Sequence, residues 1–152
     1  MSNTFNKQLP IVIGSDHAGF HYKEKIKTWL TQQGWQVEDK GTHSTDSTDY
    51  PDYAHQVANM VEEGAAAAGL LICGSGNGVC MTANKHKGIR AALTWTKELA
   101  ALSRQHNNAN ILCIPARFVP NETISEMVQA FLTTEFEGGR HAKRADKIEL
   151  NK

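Results

Sequence analysis

The strongest constraint on the fold of this chain is a regular alternation of short apolar runs with segments of helical periodicity. Apolar residues at helical spacing follow the runs, most clearly from Asn121 onward. Five runs have the composition of strands, the second being the most polar: LPIVIGS (9–15), WQVEDKG (35–41), GLLIC (69–73), IRAAL (89–93) and ILCIPA (111–116). Because such alternation implies parallel strands joined by right-handed crossovers, the pattern predicts an α/β fold, a three-layer doubly wound sandwich with a five-stranded parallel sheet that is Rossmann-like or flavodoxin-like.

The length and uniform composition predict one domain. A chain of 152 residues can bury a hydrophobic core, and no internal repeat or low-complexity tract divides it. We expect residues 9–152 to form this domain, with a C-terminal helical tail that includes a short helix after Gly139. Residues 1–8 are expected to be a flexible extension.

Charge and cysteine content limit the classes of partner. Sixteen Lys and Arg balance sixteen Asp and Glu, so the net charge gives no reason to expect binding to nucleic acid or to an anionic membrane. The three cysteines are an odd number and form no CxxC pair, which favours free thiols in a reducing cytoplasm. MSNTFNKQLP lacks the apolar segment of a signal peptide, and AAAAGLLICG is too short to span a bilayer. We therefore expect a cytoplasmic protein.

The segments that follow the strands are where a ligand is expected, because doubly wound sheets bind ligands outside the carboxyl ends of their strands. The most informative is CGSGNG, residues 73–78. Gly74 and Gly76 fit the first two positions of a dinucleotide fingerprint, but Val79 occupies the third, and the Gly-Lys-Ser/Thr of a phosphate-binding P-loop is also missing. The row of backbone N–H groups that remains suits an oxyanion or a phosphate.

Three further features of the sequence have a functional and a structural interpretation. Cys73 could be a reactive thiol beside the glycine loop or a small buried residue. Asp16 and His17 could transfer protons or bind polar groups, whereas Asp16 could equally be a helix N-cap. His106 lacks a local partner, and Asn107 could be a left-handed C-cap residue.

The C-terminal tail suggests a phosphate clamp rather than a metal site. Arg140 and Arg144 are four residues apart on one helical face, which suits bidentate capture of a small phosphorylated metabolite, although a solvated basic face would look the same. The cysteines lack zinc spacing, and His17 and His21 are separated by the start of a helix. We expect neither a metal nor another cofactor.

Seven segments together resemble the ribose-5-phosphate isomerase type B family: SDHAGF, DKGTHS, DYPDYA, LICGSGNG, ANKHKGIRAAL, LSRQHNNANIL and EGGRHAKR. They fall in the family's order and spacing from about Ile11 to Arg144. The resemblance implies metal-independent isomerisation of ribose 5-phosphate to ribulose 5-phosphate, a step of the pentose phosphate pathway, through a cis-enediolate. It also implies a homodimer or a dimer of dimers whose sites are shared between subunits.

The resemblance also implies a role for each matching residue. Cys73 resembles the base, with Ser75 the hydroxyl residue beside it, and Asp16 and His106 resemble the groups that open the sugar ring. Some family members use a glutamate where this chain has Val79 and Cys80, which favours the cysteine type. Three further sets are implied: an anion hole of Gly74, Gly76, Asn77, Gly78 and Asn107; a phosphate-binding set of His17, Arg117, Arg140 and Arg144; and a sugar contact at Tyr50.

Three other functions remain open from the sequence. Allose-6-phosphate and galactose-6-phosphate isomerases share the family's fold, so the preferred sugar could have six carbons. A non-catalytic sugar-phosphate-binding protein could have the same fold, although it would not need a base such as Cys73. A flavodoxin-like carrier is disfavoured by the incomplete fingerprint.

Overall fold

Residues 4–150 are described by a computed structural model, in which strands and helices alternate along the chain as predicted. The strands are β1 (Ile11–Ser15), β2 (Val37–Asp39), β3 (Ala68–Cys73), β4 (Ala91–Leu93) and β5 (Ile111–Pro115). The helices are α1 (Phe20–Gln32), α2 (Tyr50–Glu62), α3 (Asn77–Ala83), α4 (Lys97–Asn107), α5 (Ile124–Thr133) and α6 (Arg140–Asp146).

The five strands form one parallel sheet in the order β2-β1-β3-β5-β4. The predicted α/β fold class is confirmed. The last two strands are exchanged relative to the flavodoxin order 2-1-3-4-5. The chain leaves β1 toward one side of the sheet and returns past it to β3, so the gap between β1 and β3 is a topological switch point where a ligand is expected.

Helices cover both faces of the sheet and produce two hydrophobic cores. On one face, α1, α4 and α5 bury residues such as Leu30, Ala100 and Phe131 against β1, β3 and β5. On the other, α2 and α3 bury Val57 and Val79 against the same strands. Strands covered on both faces are continuously apolar, which explains why β1, β3 and β5 are recognisable from sequence.

The predicted flexible extension falls partly outside the described residues, which exclude residues 1–3. Within the described part, the ring of Phe5 lies 5.3 Å from that of Phe131 and the Arg104 guanidinium lies 4.3 Å from the Phe5 ring. The flexibility of residues 1–8 as a whole stays a prediction. Among residues 4–150 no helix is long and apolar enough to cross a bilayer.

A buried ion cluster joins α1 to the end of β2. The side chain of Lys23 is fully buried, and its Nζ lies 2.6 Å from Asp39 Oδ2, which Lys27 Nζ also contacts at 2.7 Å. Burial opposes ionisation of Asp39, but hydrogen bonds from Lys23, Lys27 and the Gly41 N–H outweigh it and hold the Asp39 pKa below its ordinary value. The cluster therefore stabilises the fold only while Asp39 is ionised.

We expect Asp39→Asn to lower the free energy of unfolding at pH 7 by about 3 kcal/mol, because it leaves the buried Lys23 ammonium with the partly exposed Glu24 carboxylate, 2.9 Å away, in place of its closer partner. Since the folded-state pKa lies below 3.8, the contribution of Asp39 is complete above that pH and is lost as the pH falls through the folded pKa. The difference in free energy of unfolding between wild type and variant, measured with urea between pH 7 and pH 3, should therefore shrink as the pH falls. Glu38→Gln, an exposed neighbour, is the matched control, and a parallel pair of curves for wild type and Asp39→Asn would contradict the assignment.

Candidate active site

The loop after β3 places its backbone around the thiol of Cys73. Cys73 is the last residue of β3 and is buried. Its Sγ accepts a hydrogen bond from the backbone N–H of Gly76 at 3.1 Å. Because a thiolate carries its negative charge on the sulfur, this hydrogen bond would stabilise the ionised form of Cys73.

Two glycines of this loop permit contacts that a side chain would prevent. Gly76 has a φ of +75°, and a Cβ there would lie 2.5 Å from Leu93 Cδ1. A Cβ on Gly78 would lie 2.5 Å from the ring of Tyr50, so this ring lies directly on the loop backbone. The fold requires glycine at these positions because neighbouring side chains contact the loop backbone closely and because Gly76 has a positive φ.

The segment after β5 brings a guanidinium to the same loop. The backbone N–H of Arg117 donates to the carbonyl of Gly74 at 3.0 Å. A Cβ on Gly74 would lie 2.9 Å from Arg117 Nη1, so the guanidinium lies against the loop backbone. Arg117 is exposed and adds positive charge next to Cys73.

Asp16 and His17 follow β1, the neighbour of β3 in the sheet. Asp16 Oδ1 accepts the Gly19 N–H at 3.1 Å, which confirms the N-cap interpretation while leaving the second oxygen free to meet a ligand. His17 Nδ1 accepts the Thr48 N–H at 3.2 Å. In the neutral ring this bond puts the proton on Nε2 and makes that nitrogen a donor.

These residues line one cavity of about 490 Å³ at the carboxyl ends of β1 and β3. Its lining comprises Asp16, His17, Ala18, Tyr50, Cys73, Gly74, Ser75, Asn77, Gly78, Met81 and Arg117.

Two of these lining residues, Ala18 and Met81, were not identified from the sequence. Met81 lies four residues after Asn77 on α3, so the helical i, i+4 spacing was the signal available for it.

The remaining predicted site residues form a second group outside this cavity. His106 and Asn107 end α4, and the exposed Arg140 and Arg144 lie on α6, which packs against α4. The ring of His106 stacks on that of His141 with centroids 4.3 Å apart and planes 12° apart. The left-handed C-cap residue is Asn108, with a φ of 51°, so the alternative interpretation of Asn107 as that residue is wrong.

The two groups lie at opposite ends of the strands, the first at their carboxyl ends and the second at their amino ends. Cys73 and Asp16 are at the carboxyl ends of their strands, whereas α4 ends just before the amino end of β5. Asn110, which follows α4, bonds through its backbone to Gly69 and Arg90 at the amino ends of β3 and β4. At about 3.3 Å per residue, a five-residue strand separates the groups by roughly 15 Å.

The second group also contains a candidate metal-ligand set. Among residues 4–150, one group of at least three His, Cys, Asp or Glu side chains has ligand atoms within 4.8 Å of one another, namely His106, Glu137 and His141.

The other two cysteines, Cys80 and Cys113, do not line the cavity that contains Cys73. Cys80 Sγ donates to the carbonyl of Ala91 at 3.4 Å, and burial raises the pKa of Cys113 well above its ordinary value. All three cysteines are free thiols.

Comparison with known proteins identifies the family to which these residues belong. A family model described as "Ribose/Galactose Isomerase" matches residues 11–148, which include both strand ends of the cavity and both helices of the second group. The chain belongs to the ribose/galactose isomerase family. The resemblance found in the seven sequence segments is thereby confirmed.

Members of the ribose/galactose isomerase family are close to this chain in sequence and in structure. The probable ribose-5-phosphate isomerase B of Mycoplasma pneumoniae is 49% identical over 140 residues, covering 91% of this chain and 92% of that protein. Ribose-5-phosphate isomerase B of Escherichia coli strain K12 is 46% identical over 138 residues, covering 91% and 93%. The crystal structure of ribose 5-phosphate isomerase from Thermotoga maritima has a TM-score of 0.90 at 48% identity, covering 93% and 97% of the two chains.

One solved structure of the family contains a sugar phosphate. Ribose-5-phosphate isomerase B from Mycoplasma genitalium was solved with bound ribulose-5-phosphate. It has a TM-score of 0.90 and 46% identity to this chain, and the match covers 94% of this chain and 95% of that one.

Proposed function

We propose that this chain is a metal-independent isomerase that interconverts D-ribose 5-phosphate and D-ribulose 5-phosphate, a step of the pentose phosphate pathway. The observation that carries the proposal is the cavity in which the Cys73 thiol, the backbone N–H groups of its loop and the Arg117 guanidinium meet. The Mycoplasma genitalium relative with bound ribulose-5-phosphate supports the substrate class.

Cys73 acts as the base in this mechanism. Its thiolate removes the proton from C2 of the open-chain aldose, the electrons of the C–H bond form a C1–C2 double bond, and O1 takes up the negative charge of a cis-enediolate. Return of the proton to C1, with movement of the hydroxyl proton from O2 to O1, gives the ketose. Ser75, beside the base, is proposed to hydrogen-bond the reacting oxygens.

The loop backbone stabilises the enediolate. Gly74, Gly76, Asn77 and Gly78 provide N–H groups that are fixed by the turn before the reaction begins, so they need no reorganisation when the charge develops. Tyr50, whose ring lies on Gly78, is proposed to contact the sugar.

Each site is proposed to be completed by a second copy of the chain, in a homodimer or a dimer of dimers. The separation of roughly 15 Å between the carboxyl and amino ends of the strands prevents His106 from reaching Cys73 in the same chain. A symmetric dimer would bring His106 and Asn107 of the partner subunit to the cavity, where His106 and Asp16 would open the sugar ring.

The phosphate is proposed to bind between the same two subunits. His17 and Arg117 approach it from one chain, and Arg140 and Arg144 of the partner subunit from the other. The helical spacing of the two arginines suits bidentate hydrogen bonds to phosphate oxygens.

The cytoplasm is the proposed location. The three free thiols support it, because a reducing compartment keeps cysteines unpaired.

The experiment that tests the function is proton NMR of ribose 5-phosphate with EDTA-treated protein in D₂O. We expect ribulose 5-phosphate to appear, with deuterium entering at the exchanging carbon. Parallel reactions with allose 6-phosphate and galactose 6-phosphate test the six-carbon alternatives. Turnover only of a six-carbon sugar would contradict the proposed substrate, and binding without turnover of any sugar would contradict catalysis.

We expect Arg144→Ala to raise KM for ribose 5-phosphate by about 10- to 100-fold with a smaller change in kcat, because it removes a charge-assisted hydrogen bond to the phosphate. The steady-state kinetics of Lys143→Ala, the exposed neighbour on α6, provide the matched control and should stay close to wild type. An unchanged KM in Arg144→Ala would remove this residue from the phosphate site.

A further inference from the structure

The side chains of His106, Glu137 and His141 meet where the end of α4 contacts the beginning of α6. Their ligand atoms all lie within 4.8 Å of one another. His141 Nε2 and Glu137 Oε1 are 3.5 Å apart, close to the roughly 3.4 Å that separates two ligands of a tetrahedral zinc ion with bonds of about 2.1 Å. Two imidazoles and one carboxylate form a ligand set that leaves one tetrahedral position open.

The backbone around the three side chains is fixed by hydrogen bonds between the two elements. The Glu137 N–H donates to the carbonyl of Gln105 at 3.1 Å, one residue before His106. Arg104, which is almost fully buried, donates from Nε to the carbonyl of Thr134 at 3.2 Å. A metal ion would therefore need rotation of side chains but no movement of the backbone. Glu137 and at least one of the two stacked imidazoles must turn, because parallel rings cannot both direct a nitrogen lone pair at one ion.

The local charges favour the form of histidine that binds metals. Desolvation and neighbouring positive charges lower the pKa of His141, and Glu137 opposes this shift. A neutral imidazole is the form that binds a metal. Arg140 and Arg144 also repel a cation, so the carboxylate of Glu137 is needed to offset their charge.

We propose that His106, Glu137 and His141 bind a divalent transition-metal ion, with Zn²⁺ as the best-fitting ion, and that this binding inhibits the isomerase. The inhibitory half rests on the proposed function, in which His106 opens the sugar ring in the partner subunit's site. An imidazole nitrogen that coordinates the metal no longer exchanges protons with the sugar, so the bound ion stops ring opening. The metal is thus an inhibitor of a reaction that proceeds without one.

The test measures binding and activity separately. EDTA-treated protein, with the chelator removed, is titrated with Zn²⁺ by calorimetry, with Mg²⁺ as the ion that this ligand set should not retain. We expect one Zn²⁺ per chain, and inhibition over the same concentration range. Glu137→Gln should keep its activity without metal while its Zn²⁺ affinity and its sensitivity to Zn²⁺ both fall at least about tenfold.

Two control variants separate this site from other metal-binding groups. His55→Asn removes a surface histidine whose Nδ1 lies 2.7 Å from His86 Nε2, and Cys73→Ala removes the thiol of the cavity. Both should bind Zn²⁺ as wild type does. Unchanged binding in Glu137→Gln, or lost binding in either control, would place the ion elsewhere and overturn the proposal.

The binding and the inhibition can fail independently. Zn²⁺ bound by wild type and weakened by Glu137→Gln, but without inhibition of an active enzyme, would overturn the regulatory half. If the protein isomerised none of the sugars, the proposed function would fail, and calorimetry would still decide whether the three side chains bind the metal.

Discussion

Cys73→Ala should lower kcat for ribose 5-phosphate by about 10²- to 10⁴-fold, the range expected when a general base is removed. The fold should change little, because the thiol is a small group at the end of a strand and accepts a single hydrogen bond, from the Gly76 N–H. Phosphate binding should persist, since the residues proposed to hold it are not altered. The measurement is steady-state kinetics combined with a thermal unfolding curve.

Cys80→Ala is the matched control for this prediction. Its thiol points toward Ala91 and does not line the cavity, so kcat should stay within a few-fold of wild type. Near-normal turnover in Cys73→Ala would show that another group is the base. Loss of turnover in both variants would instead indicate a general sensitivity of the segment from the end of β3 through α3 to substitution.

Mixing two inactive variants should restore activity if the site is shared between subunits. Cys73→Ala and His106→Asn each lack a group needed in every site of their own homodimer. In a mixed dimer, one site combines the intact Cys73 of one chain with the intact His106 of the other, and the second site has neither. Random exchange of subunits should therefore give about a quarter of wild-type activity, because half of the dimers are mixed and each has one complete site.

The experiment requires subunit exchange, for example by mild denaturation and refolding of the mixture. Each variant treated alone is the control and should stay inactive. A mixture that stays as inactive as its components, although differently tagged chains demonstrably associate, would mean that Cys73 and His106 do not act in one shared site.

The sequence predicted the parts of the fold that depend on local pattern. β1, β3 and β5 are buried on both faces, so their apolar runs are continuous, and the glycines after β3 are needed for the contact with Tyr50. The exchange of β4 and β5 could not be predicted, because both strand orders satisfy the same right-handed crossovers and similar loop lengths.

The site was predictable to the extent that its residues follow strands. Asp16 and His17 come directly after β1, Cys73 is the last residue of β3, and parallel strands bring their carboxyl ends together. The hydrogen bond from the Thr48 N–H to His17, and the stacking of His106 on His141, were not predictable, since each depends on the packing of segments that are distant in the sequence.

The buried ion cluster around Lys23 has a consequence for the reacting end of the molecule. Asp39 Oδ1 accepts the Gly41 N–H, and Gly41 in turn accepts the N–H of Ser15 through its carbonyl, one residue before Asp16. An electrostatic cluster on the side of α1 is thus connected by two hydrogen bonds to the backbone that presents Asp16 and His17. Protonation of Asp39, which requires a pH below 3.8, would loosen this anchor, and substrate affinity would decline with it.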